Sequence, residues 1–164
     1  MNRSAIRVAC FGIGAIAGLR TLTAPAVMAW SLQKRLARRN SLSAGLLKAG
    51  VSKKLVKLAA GELLADKLAF TPDRISPGPL LGRVASGAAC GAALSFMLDA
   101  PLPEGAVIGG AGALAGAFGG YYARKQFKSP KSSFAAALVE DSLAIAGAMT
   151  IMARVNRELR RFST

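Results

Sequence analysis

Histidine is absent from this chain, and with it the commonest general base, proton shuttle and nitrogen ligand for metals. Acid is scarce as well: 8 Asp and Glu stand against 22 Lys and Arg in 164 residues, a formal net charge of +14. Cysteine occurs only at Cys10 and Cys90, each inside an apolar run and without CxxC spacing. That pattern gives neither a disulfide framework nor a thiolate metal site and reads as small packing residues. No GxSxG, no glycine-rich loop before GK[ST] and no HExxH occurs, so the sequence offers no catalytic residue, metal site or cofactor site. The reading is of a non-enzyme. Aromatic residues make up 6% of the chain and do not alternate with the basic ones, so the positive charge does not point to nucleic acid.

What the chain has is apolar length. Hydrophobic residues reach 52% and charged ones fall to 18%, below the roughly 25% of soluble domains. The apolar residues gather into Ala5–Leu19, Ala24–Leu32, Leu80–Leu98, Gly105–Tyr122 and Phe134–Ala153. A stretch of about 20 such residues crosses a hydrocarbon core of roughly 30 Å. A soluble helical protein would need polar faces, and Leu80–Leu98 and Gly105–Tyr122 have almost none. The expected fold is all-α: one domain over residues 1–164, a polytopic helical membrane bundle of about three to five segments.

The basic residues lie between these runs. Lys34, Arg35, Arg38, Arg39, Lys48, Lys53, Lys54 and Lys57 fill a basic segment at 33–57, Arg124, Lys125, Lys128 and Lys131 follow the glycine-rich run, and Arg154, Arg157, Arg160 and Arg161 mark a basic tail at 154–164. Asp99–Glu104 holds no Lys or Arg. By the positive-inside rule that loop is external and both feet of its hairpin are cytoplasmic. Charge counting favours about three or four full spans, with 5–32 crossing once and the last segment either crossing or dipping in and returning. Anionic lipid near the basic loops is the expected bilayer partner. Arg3, Arg7 and Val8–Leu19 imitate a signal peptide ending at Ala24-Pro25-Ala26, but Arg20 interrupts the cleavage region and the apolar run resumes to Trp30.

Polar residues inside the apolar runs are the candidate site. Glu140 and Asp141 interrupt Phe134–Ala153, and intramembrane acids are costly unless paired, protonated or wetted. Arg20 and Thr21 precede Pro25, which cannot donate to the Thr21 carbonyl, so a helix break is expected there, with Arg20 near mid-membrane. On a helical wheel of 51–68, Glu62 and Asp66 project from the apolar side opposite Lys53, Lys54, Lys57 and Lys67; Arg74 and Arg83 supply further counter-charge. Glycine sets the packing: Gly105, Gly109, Gly112, Gly116 and Gly120 share one stripe, and Gly87/Gly91 and Gly14/Gly18 form two GxxxG pairs. Such spacing lets helix backbones touch and accommodates a homo-oligomer. Gly12–Gly18 also matches Gly110–Gly116 closely enough to suggest an internal repeat.

Gly18-Leu19-Arg20-Thr21, Glu62-Leu63-Leu64-Ala65-Asp66-Lys67, Pro72-x-Arg74, Arg83, the glycine stripe ending in Tyr121–Arg124, and Glu140-Asp141-x-Leu143-Ala144 occur in that order. Together they resemble the bacterial integral-membrane family catalogued as domain of unknown function 4126, over roughly residues 8–153. The resemblance implies a multi-pass protein of the bacterial cytoplasmic (inner) membrane and assigns no activity. Two functions follow from the residues. The leading expectation is a small permease or channel-like protein whose carboxylates and arginines bind an ion or small polar solute. The alternative is a non-transporting structural or interaction protein whose buried charges form an ion-pair network.

Overall fold

The computed structural model describes residues 1–38, 54, 57–58, 77–125 and 130–161. Among these every regular element is helical: α1 (Arg3–Leu19), α2 (Thr23–Arg38), α3 (Pro77–Met97), α4 (Leu102–Lys125) and α5 (Pro130–Arg161). The all-α expectation holds. Among the described residues one helix, Pro77–Met97, is long and apolar enough to cross a membrane.

Helix α1 starts where Asn2 accepts a hydrogen bond from the Ala5 N–H at 2.9 Å, satisfying a donor that the first turn leaves free. Its inward face carries Ile6, Ala9, Cys10, Ile13, Gly14, Ile16, Ala17 and Gly18. Proline opens α3 at the first helical position, where no intrahelical donor is needed. Asp99 ends it in a left-handed conformation, φ 51°, and the Ala100 N–H closes on the Ser95 carbonyl at 2.9 Å, a Schellman stop. Pro101 then ends the short connection, its carbonyl accepting from the Gly105 N–H at the start of α4.

Three helices share a glycine seam. Helix α4 lies antiparallel to α3 and parallel to α1. A Cβ at Gly105 or Gly109 would collide with α3 at the Gly91 or Gly87 carbonyl, and one at Gly112 or Gly116 would collide with α1 at the Phe11 or Ala15 carbonyl. The reverse faces match: Gly91 sits on the Gly105 carbonyl, Gly14 on that of Gly109 and Gly18 on that of Ala113. The glycine stripe read from the sequence is thus divided, its first part taken by α3 and its second by α1. Gly14, Gly87 and Gly109 mark the point where all three backbones converge.

Helix α5 runs antiparallel to α1 along its whole length. The N-terminal ammonium of Met1 meets Glu158 at 3.2 Å, Ile151 reaches Gly12, Gly147 faces Ile16, and Asp141 pairs with Arg20. It is one uninterrupted helix of 32 residues, which corrects the dip-and-return alternative for this segment.

Residues 5–32 also depart from expectation. The chain reverses at Arg20–Leu22 rather than crossing once. Arg20 pairs with Asp141 of α5, whereas Ser31 of α2 accepts a hydrogen bond from Asn156 at 2.7 Å, back toward the end of α5 that meets Met1. The break precedes Pro25, which sits in the first turn of α2; the Ala26 N–H to Leu22 carbonyl bond, 3.0 Å, already closes that turn. A first-turn proline removes a donor that the helix does not use.

Candidate functional site

Arg20 is the largest side chain fully buried among the described residues, 1% exposed. It occupies the C-cap of α1 in extended backbone (φ −143°, ψ 110°), with its N–H on the Ile16 carbonyl at 2.8 Å. That geometry throws the side chain out of α1 and across to α5, where the guanidinium forms an ion pair with Asp141. Asp141 is itself buried, and Glu140 beside it is half-buried. Because α1 has 17 residues, about 25 Å of helix, Arg20 stands at the end of a complete helix. It is not at the middle of a longer one, as the sequence reading had it.

Arg83 of α3 is buried at 5% exposure. One turn away, Ser86 Oγ donates to the Thr21 carbonyl at 2.6 Å. This is the acceptor that Pro25 cannot serve, so a hydroxyl from α3 supplies a hydrogen bond at the reversal. Arg20, Thr21, Arg83, Glu140 and Asp141 therefore gather at one end of the bundle, opposite the Asp99–Glu104 loop. Glu62, Asp66 and Arg74, and the helix proposed around them, lie outside the described residues. Of the packing glycines, Gly14, Gly18, Gly87, Gly91, Gly105, Gly109, Gly112 and Gly116 make interhelical backbone contacts, and Gly120 is buried on α4. Among the described residues no three His, Cys, Asp or Glu side chains come close enough to hold a metal ion.

A pocket of about 200 Å³ opens at the other end of the bundle. It lies between the start of α1, the end of α3 and the start of α4. Arg3, Arg7, Asp99 and Glu104 stand around it, Ile6 and Ile108 form apolar walls, and Cys10 and Ser95 are at its base. Arg7 Nε donates to Glu104 and ties α1 to α4. The Cys10 Sγ and Ser95 Oγ are 3.5 Å apart and share a hydrogen bond. Sequence reasoning missed this pocket because its residues come from separate elements. Its signal was there in Arg3 and Arg7, one turn apart on α1, and in Asp99 and Glu104 flanking a short turn.

Comparison of the chain with protein-family models, curated proteins and solved structures finds no match.

Proposed function

We propose that this is a multi-pass protein of the bacterial cytoplasmic membrane, of the structural or interaction kind, whose Arg20–Asp141 pair locks α5 onto the α1/α3/α4 core. The observation that carries the reading is the burial of that pair: Arg20 is 1% exposed and ion-paired with Asp141 of another helix. A buried ion pair between two helices works as a joint that holds them in register.

The membrane placement rests on the outer surface. The exposed positions of α3 from Leu81 to Phe96, of α4 from Val107 to Gly119 and of α5 from Leu138 to Ala153 include no charged residue. Large side chains point out (Val107 72%, Phe96 70%, Leu81 69%, Leu143 65% exposed) while the seam holds Gly, Ala, Ser and Cys. Water would drive the opposite arrangement. Outward Ser142 and Thr150 donate to the Leu138 and Ala146 carbonyls of their own helix, both at 2.8 Å, as hydroxyls facing lipid must.

The competing permease reading draws on the second buried cation, Arg83, near the first. Proton and potassium flux in proteoliposomes separates the two. The expected result is wild-type flux no greater than that of empty liposomes, with Asp141→Asn poorly folded and Arg20→Met/Asp141→Leu folded again. Wild-type flux abolished in a well-folded Asp141→Asn would overturn the structural reading and establish a transport site.

A further inference from the structure

We infer that the pocket at the loop end binds an ethanolamine phosphate group, a zwitterion carried by phospholipid headgroups and by free phosphoethanolamine. Charge of both signs surrounds the cavity. Arg3 and Arg7 are one turn apart on α1, and Asp99 and Glu104 flank the turn into α4. Arg7 and Glu104 neutralise each other. Among the described residues Arg3 and Asp99 make no ion pair, so one cation and one anion beside the cavity await a ligand that carries both. Arginine matches phosphate through its fork of N–H donors.

The ammonium end is specified too. A primary ammonium donates hydrogen bonds that the carboxylates of Asp99 and Glu104 accept. A quaternary ammonium has no such donor and is held by aromatic cages, and no aromatic side chain is among the described residues lining this cavity. Size agrees: about 200 Å³ is below the roughly 300 Å³ of the smallest drug-like sites and equals about six or seven water volumes. That is room for a headgroup and not for an acyl chain. The exposed Val8, Phe11 and Val107 lie beside Arg7 and Glu104 along α1 and α4 and give a lipid's chains an apolar path.

The lipid source rests on the membrane reading, whereas free phosphoethanolamine does not. Cys10 at the base of the pocket is a native reporter, and Cys90, which does not line it, is removed by Cys90→Ala. The experiment follows modification of Cys10 in the full chain by a small methanethiosulfonate, read by mass spectrometry. One arm uses detergent micelles with free phosphoethanolamine. The other uses phosphatidylcholine liposomes with or without phosphatidylethanolamine, and flotation of the protein with the liposomes tests membrane residence separately.

The expected result is modification slowed about tenfold at a ligand concentration about ten times Kd. Protection is lost in Arg3→Gln and in Asp99→Gly; the latter folds because φ 51° suits glycine. Protection by the liposomal lipid assigns the headgroup as the ligand, and protection by the free compound alone assigns a solute of the same chemistry. Three outcomes overturn the inference: no protection by either source, equal protection by phosphatidylcholine, or a Cys10 that the reagent does not reach in the ligand-free protein.

Discussion

Gly109 and Gly119 occupy the same helix and have opposite surroundings. A Cβ at Gly109 would strike the Gly87 carbonyl and lie 3.0 Å from the Gly91 Cα, backbone that has nowhere to go; at Gly119 it would meet nothing within 4 Å. Gly109→Ala should therefore destabilise the bundle by about 2 kcal/mol or more through overpacking. Gly119→Ala should stabilise it by about 0.5–1 kcal/mol, because alanine loses less backbone entropy in a helix. Thermal unfolding followed by circular dichroism in detergent compares the two, and equal effects would refute the seam. Asp99→Gly should add about 1 kcal/mol by relieving a left-handed aspartate. Most of this was legible one residue at a time: the spacing of Gly105, Gly109, Gly112 and Gly116 marked a close-packed stripe. Which partner each glycine takes was not, since the alternation between α3 and α1 depends on how the helices cross. Arg20 and Asp141 were likewise each visible as misplaced charges, but nothing in their 121-residue separation along the chain says that they meet.

At the level of elements, the α1–α2 reversal shows how a correct signal can be assigned the wrong cause. Pro25 announced a break, and the break is real. Yet the chain turns at Arg20–Leu22, where the extended Arg20 exits the helix to reach Asp141, and Pro25 merely tolerates the first turn of α2. Pro25→Ala should change stability by less than about 1 kcal/mol, because the position carries no required hydrogen bond or clash. Ser86→Ala removes the 2.6 Å hydrogen bond to the Thr21 carbonyl and should cost about 0.5–1.5 kcal/mol, the net worth of a typical hydrogen bond. Hydrogen exchange gives the discriminating readout: amides in the first turn of α2 should exchange faster in Ser86→Ala and nearly as in wild type in Pro25→Ala. The reverse ranking would restore the proline as the determinant. Local patterns told of the break; the donor came from α3, and proximity between distant elements is not written in local pattern.

Across the whole molecule, direction matters more than composition. The weak likeness between Gly12–Gly18 and Gly110–Gly116 places its two copies side by side, since α1 and α4 run parallel with Gly14 on Gly109 and Ala15 on Gly116. Helix α5 then runs back against α1, which brings Glu158 to Met1 and the last arginines to the same end as Asp99 and Glu104. The earlier count of basic residues assumed a single crossing by 5–32, and the reversal at Arg20 removes that assumption. Sidedness becomes a matter of geometry. If α1, α3, α4 and α5 cross the membrane, Asp99 and Arg160 lie on one face and Lys125 on the other, because α4 leads from the loop end to the Arg20 end. Single cysteines introduced by Asp99→Cys, Arg160→Cys and Lys125→Cys, in a chain lacking Cys10 and Cys90, should sort accordingly with an impermeant maleimide. The first two should label together and the third oppositely: one set in intact cells, the other only after permeabilisation. Labelling of the first two from opposite faces would show that α5 does not accompany α1 across the bilayer, and would separate the Arg20–Asp141 pair that holds them in register.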